Sequence, residues 1–259
     1  MKKWCIALLS CITTLTHADD LTQTQKASIQ QLIGYFKAND VKAISHAVQY
    51  PLKRQNPLPS IKNPQQMQQQ FTQVFDATLR QKIVKSNFND WQAMGWRGVM
   101  FDSGEIWVSN VDDEENPKMP TKITAVNYSG SQEQKLLQTT LAKQKAKLHP
   151  SIRDFAHPEL LFKTSQYLIR IDQMHTLGQY RYVAWKNNSD QSKKPDLILK
   201  NGTVEQDGSG GNHHFTFKSG PYIYEVHRQI IGESDADASL YVTKNGQDVL
   251  SQEGYLAEY

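Results

Sequence analysis

The chain has 259 residues, 29 of them Lys or Arg and 26 Asp or Glu, for a formal net charge of +3. With so even a balance and no basic block or stripe, the composition gives no support for a nucleic-acid partner. The two cysteines, Cys5 and Cys11, both lie near the N-terminus.

Lys2 and Lys3 form a short positive segment, and Trp4 to Thr16 supply a mostly apolar one. Thr16-His17-Ala18 then places small residues three and one positions before a cleavage point, the pattern of a secretory signal peptide removed after Ala18. The apolar run is shorter than the roughly 20 residues that a membrane-spanning helix needs. A lipidated Cys11 behind Leu8-Leu9-Ser10 is the alternative, but Leu9 fits that box poorly and little apolar sequence precedes it. Cleavage after Ala18 leaves 27 basic and 26 acidic residues and no cysteine. Disulfides, thiol catalysis and thiolate-held metals are then excluded. The expectation is a periplasmic protein of a Gram-negative cell, with no membrane span.

From residue 19 to 130 the pattern is helix-rich, then sheet. Ile29, Leu32, Ile33 and Phe36 recur at helical spacing. Asn39-Asp40 breaks and recaps the chain before Val41, Ile44, Ala47 and Val48. Pro51 to Pro59 is a proline-bearing loop. Asn63-Pro64 supplies an N-cap and a proline at the first helical position. The helix it opens is expected to run from Met67 through Phe71, Val74, Phe75 and Leu79 to Ile83. A hairpin follows: Trp96 to Phe101, the turn Asp102-Ser103-Gly104, and Glu105 to Ser109. Lys122 to Tyr128 reads as a further strand. The acidic run Asp112 to Glu115 lacks the alternating ligands of a calcium loop and reads as a solvated hairpin loop.

The stretch FKANDVKAISHAVQYPL and the hairpin GWRGVMFDSGEIWVS resemble the opening helices and central hairpin of the NTF2-like superfamily of cone-shaped α+β domains. The resemblance covers residues 22–128. It implies helices packed on a curved antiparallel sheet and a conical pocket, here lined by Asp76, Tyr50, Trp91 and Trp96. Asp76 is then the best single candidate for a general base, with capping or hydrogen bonding as its structural alternative. His46 lies off the apolar stripe and reads as exposed. One carboxylate without an evident partner is weak support for acid–base chemistry.

Ser131 to Gln134 reads as a capping box for a basic helix carrying Leu136, Leu137 and Leu141, and residues 131–164 as a helical connector. From 165 to 259 the chain reads as a small antiparallel β domain. Tyr167, Ile169 and Ile171 alternate with polar residues, and Tyr180 to Trp185 continues the theme. Asn201-Gly202 and Asn245-Gly246 read as two-residue hairpin turns, the second setting Val242 opposite Val249. With Ser219-Gly220 as a third turn, Phe215 faces Tyr224, Phe217 faces Tyr222, His214 faces Glu225 and Asn212 faces His227.

The segment DGSGGNHHF, residues 207–215, matches no nucleophile motif in full. Gly208 separates Asp207 from Ser209, unlike Gly-Asp-Ser-Gly-Gly, and a strand rather than a helix follows, unlike Gly-x-Ser-x-Gly. No Walker lysine or helix N-terminus makes a phosphate loop. His213 and His214 point to opposite faces of a strand, so no metal is assigned, although His227 is a conceivable third ligand. The segment reads as a turn, with Ser209, Asn212, His214 and Glu225 as recognition residues. Tyr182 and Trp185 add an aromatic β surface. No cofactor is assigned. The expected function is a non-catalytic binding protein for a protein or cell-wall component, such as an inhibitor or immunity protein against a peptidoglycan hydrolase or secreted toxin. The alternative is an enzyme or small-ligand carrier using the N-terminal cone.

Overall fold

Thr22 N-caps the first helix through its hydroxyl, and Gln25 returns the bond to the Thr22 amide, so the capping box fixes where α1 (Gln23–Lys37) begins. The structure, a computed structural model, describes residues 21–109, 121–186, 189–208 and 210–259. They divide into two compact units: one holds the described residues up to Leu52 with Ile61–Gly130, the other Lys53–Ser60 with Ser131–Tyr259. The signal segment, both cysteines, the acidic run at 112–115 and Ser209 lie outside the described residues.

In the first unit, Asn39 takes φ 50° and Asp40 caps α2 (Val41–His46) by accepting the Ala43 amide at 2.9 Å. Asn63 caps α3 (Pro64–Val74), with Pro64 at the first helical position. The single helix expected from Met67 to Ile83 is two. Asp76 accepts the Leu79 amide at 2.9 Å and opens α4 (Ala77–Lys85), so the strong cap interrupts an apolar stripe that runs through both helices. A four-stranded antiparallel sheet follows in the order β1 (Trp91–Ala93), β2 (Val99–Phe101), β3 (Ile106–Ser109) and β4 (Lys122–Val126). Only the end of the expected Trp96–Phe101 strand is extended. Gly95–Arg97 is a helical turn, because Gly95 and Gly98 both adopt positive φ. Ile29, Ile44, Phe75, Leu79, Val99 and Ile106 fill one core between helices and sheet.

The second unit opens with α5 (Ser131–Lys147) and closes an eight-stranded antiparallel barrel in simple up-and-down order. Its strands are β5 (His157–Thr164), β6 (Tyr167–Gln173), β7 (Tyr180–Lys186), β8 (Leu197–Gln206), β9 (His213–Ser219), β10 (Tyr222–Arg228), β11 (Ala238–Lys244) and β12 (Gln247–Leu256). Residues 131–164 are therefore more than a helical connector, since β5 is a barrel strand. Its Leu160, Leu161 and Phe162 are all buried, so β5 lacks the polar alternation that marks a half-exposed strand. The barrel closes where Gly254 of β12 faces Thr164 of β5. A Cβ on Gly254 would stand 2.5 Å from the Lys163 carbonyl oxygen, so closure needs glycine there.

Asn201-Gly202 is not a hairpin turn but a bend inside β8. The strand pairs with β7 from Leu197 to Gly202 and with β9 from Thr203, and its register with β7 shifts between Leu199 and Gly202. Asn201 takes φ 59°, and a Cβ on Gly202 would lie 2.1 Å from the Phe217 ring. The ring occupies the space that a side chain would need, and the bulge turns the strand around the barrel. The β9–β10 turn is Gly220-Pro221, which pairs Phe217 with Tyr224, Phe215 with Val226 and His214 with His227. This register is two residues from the expected one, so the inward face is unchanged. Asn245-Gly246 does turn the chain, but a bulge sets Val242 opposite Leu250 rather than Val249.

The outward sides of β6 and β7 are also buried. Leu168, Val183 and Trp185 pack with Leu148, Ile152 and Phe155 in a second core outside the barrel wall. A fully enclosed ion cluster lies beside it. Asp172 accepts from Arg170 Nε and Arg181 Nη2, each at 2.6 Å. Arg181 also donates to the Ile152 and Asp154 carbonyls, and the Arg170 guanidinium lies 4.7 Å from the Phe155 ring centroid. Such a cluster stabilises only while every charge keeps its partners. Here it fastens the 148–155 segment to the wall.

Candidate functional site

Alternation along each strand sends Tyr167, Ile169 and Ile171 inward from β6, Tyr180, Tyr182 and Ala184 from β7, and Tyr222, Tyr224 and Val226 from β10. An eight-stranded barrel is just wide enough to be filled by its own side chains or to hold one small ligand. This barrel does each at a different end. Where β8, β10 and β12 begin, the wall borders a half-open hollow of about 480 Å³. Four tyrosines line it (Tyr167, Tyr182, Tyr222 and Tyr224), together with Ala184, Leu197, Leu240, Val242 and Leu250; Lys186 and Asp196 also border it. The Tyr182 ring packs tilted against Tyr224, with centroids 5.7 Å apart, and against Phe217 at 5.6 Å.

Tyr182 is 2 % exposed, and its hydroxyl has no hydrogen-bond partner among the described residues. Burial pushes its ionisation far up, and the neighbouring Tyr224 and Tyr167 hydroxyls push it further. Tyr224 is raised as well, by burial first and then by Tyr222 and Tyr167. Neutral phenols are donors as well as acceptors, so this wall offers O–H groups inside an aromatic hollow. Buried polar groups usually find a partner, and one left open in a cavity is where a ligand atom fits.

The opposite end is filled. Tyr180 and Phe215 meet edge to face at 5.0 Å, and His213 stands against Phe215 at 5.3 Å. Arg228 closes the end, donating to the Asp237 carbonyl at 2.6 Å. Around this end, on the outer wall, Asp207, His214 and His227 come together. Glu225 stands beside them, its Oε2 3.9 Å from His227 Nε2. Burial first, and then His214, lowers the His227 pKa. Asn212 has its side-chain amide engaged: Oδ1 accepts the Ile230 and Ile231 amides at 2.7 and 3.0 Å, and Nδ2 donates to the Ile231 carbonyl at 2.7 Å. It ties the β8–β9 and β10–β11 loops together.

The residues expected to line a cone do not converge. Trp91 is 3 % exposed and packed on Phe101 in the core, with its indole N–H donating to Ser86, whereas Trp96 is 72 % exposed on the helical turn. Trp96 cannot share a pocket with Trp91 because the two glycines flanking its turn swing it outward. Tyr50 donates to the Ser45 carbonyl at 2.7 Å, and burial holds its pKa up to about 12. Asp76 is a helix cap whose second oxygen accepts the Tyr128 hydroxyl at 3.2 Å. His46 is exposed. Trp185, expected on an aromatic recognition surface, is fully buried outside the barrel wall and donates to the Lys193 carbonyl at 3.0 Å. Its neighbours along the strand are buried on both faces, which alternation alone does not reveal.

Of the expected site residues, Tyr182 thus lines the hollow, while His214 and Glu225 stand on the outer wall at the opposite end of the barrel. The hollow itself was missed, because it exists only once eight strands close on one another. The spacing of Tyr222 and Tyr224, with Tyr182 and Tyr167 also facing inward, was the available signal. No family model, curated protein or solved structure matches the chain.

Proposed function

We propose that this is a non-catalytic binding protein that holds one small, largely apolar molecule in the tyrosine-lined end of its barrel. The observation that carries this reading is Tyr182, a buried residue whose ring lines a hollow of about 480 Å³ and whose hydroxyl has no hydrogen-bond partner among the described residues. That volume lies within the range of roughly 300–1,000 Å³ typical of ligand sites. The favoured ligand has an aromatic or branched apolar body and one acceptor, such as a carbonyl or ether oxygen, within reach of the phenol. The signal-like N-terminus supports placing this activity in the periplasm. The helices and four-stranded sheet of the first unit support reading it as an NTF2-like scaffold, with its Asp76 serving as a cap rather than a base.

Native mass spectrometry of the protein purified from its host under non-denaturing conditions tests the proposal. A bound small molecule, lost in Ala184→Phe, is expected; an identical ligand load in wild type and Ala184→Phe would contradict it.

A second reading, an inhibitor or immunity-type protein for a secreted hydrolase or toxin, has its own support at the filled end. Leu177 in the β6–β7 loop is 88 % exposed, and Ile230 and Ile231 in the β10–β11 loop are each about half exposed. Apolar side chains on neighbouring loops are a common feature of protein-binding surfaces. Replacing all three with serine leaves small-molecule binding intact but abolishes capture of an exported protein partner under this reading.

A further inference from the structure

We propose that Asp207, His214 and His227 bind a divalent transition-metal ion of the zinc type on the outer wall of the barrel, at the end away from the hollow. His214 and His227 are directly opposite each other on neighbouring antiparallel strands. Their side chains therefore rise from the same face, with ring centroids 4.9 Å apart and planes within 18° of parallel. Asp207 follows β8 immediately. Its backbone N–H donates to the Asn212 carbonyl at 2.8 Å, which closes the loop and holds the carboxylate beside the histidines. Oδ1 lies 2.7 Å from His214 Nδ1 and Oδ2 lies 3.9 Å from His227 Nδ1. One ligand atom from each of the three residues lies within 4.8 Å of the others.

Tetrahedral zinc with bonds of about 2.0–2.1 Å needs ligand atoms roughly 3.3 Å apart. The half-exposed side chains close the remaining distance by rotation, without moving the strands. Two imidazoles and one carboxylate suit zinc, copper or nickel, whereas magnesium and calcium prefer oxygen-only sets. Water fills the fourth position, and Glu225 adds negative charge at the rim. A simple Asp–His hydrogen bond accounts for the Asp207–His214 contact. Cross-strand pairing accounts for the second imidazole lying alongside; a shared metal ion accounts in addition for each ring facing a different oxygen of the same carboxylate.

The test is calorimetric titration of the full chain, without a histidine tag, with zinc chloride, and separately with magnesium and calcium chloride. One equivalent of zinc is expected to bind and raise the melting temperature by a few degrees, with no response to the other two ions. His214→Gln and His227→Gln are each expected to remove that event, while His175→Gln leaves it unchanged; His175 forms a separate exposed pair with Asp154 at 2.9 Å. Should a variant fold poorly, imidazole NMR of the wild-type chain provides the same reading, with zinc shifting the His214 and His227 resonances first. No zinc binding by the wild type, or binding that survives the double His214→Gln/His227→Gln variant, would overturn the site. Because the hollow lies at the other end, neither result bears on small-molecule binding there.

Discussion

The two units use their polar groups in opposite ways. In the helical unit, Thr22, Asp40, Asn63 and Asp76 each satisfy a helix N-terminus, and the space between helices and sheet is filled by apolar side chains. In the barrel, a phenol is left open to a hollow, imidazoles meet across strands on the outer wall, and an ion cluster is sealed beneath a flanking segment. Polar residues that finish local structure are poor guides to function. Those with no local task, held in place by a closed sheet, are better ones.

Substitutions separate the two uses. Asp172→Ala strands two buried guanidinium groups in the barrel wall and is expected to cost about 3–5 kcal/mol in chemical denaturation. A loss below about 1 kcal/mol would mean that the cluster is not sealed from solvent. Gly202→Ala drives a methyl group into the Phe217 ring and is expected to cost about 1–3 kcal/mol, read as a lower melting temperature. In the helical unit, Asp76→Ala removes a cap and the acceptor of the Tyr128 hydroxyl, for about 1–2 kcal/mol, and Asp76→Asn is close to neutral because asparagine caps as well. Loss of ligand binding in Asp76→Asn would contradict the division of labour between the units.

A smaller effect depends on pH. Glu159 has its carboxyl pKa raised above 4.5, by burial first and then by the Asp172 charge. A carboxyl raised in the folded state favours folding while protonated, and that contribution is lost as pH rises through the raised value. Glu159→Gln is therefore expected to raise the melting temperature slightly at neutral pH and to change nothing below pH 4.5. An equal gain at both pH values would point to packing instead.

Much of the helical unit was legible in the sequence, because caps and stripes are local. Asn39-Asp40 and Asn63-Pro64 mark helix boundaries where the structure has them. The break at Asp76 was hidden by an apolar stripe that runs through it. In the barrel, the inward alternation of Tyr167, Ile169 and Ile171 was legible, but closure was not. β5 is buried on both faces and carries Pro158, so it lacks the pattern of a half-exposed strand. Asn201-Gly202 has a hairpin's residues and bends a single strand instead, because its neighbours are decided by Phe217 from β9. The pairing of His214 with His227 depended on placing the turn at Gly220-Pro221, one residue later than Ser219-Gly220. A shift this small moves each pairing by two residues while keeping every side chain on its face.

The central claim is that the tyrosine-lined end of the barrel is a ligand site. Fluorescence titration with anilinonaphthalene sulfonate, an aromatic probe with an acceptor group, tests it most directly when wild type is compared with Ala184→Phe and Tyr182→Phe at matched far-UV and near-UV circular dichroism. The account predicts saturable binding of one probe per chain. It further predicts loss of binding when phenylalanine fills the hollow, and weakening by about fivefold to tenfold when the phenol is removed, the worth of one hydrogen bond of about 1 kcal/mol. Equal, saturable binding by all three proteins would place the probe elsewhere and contradict the claim.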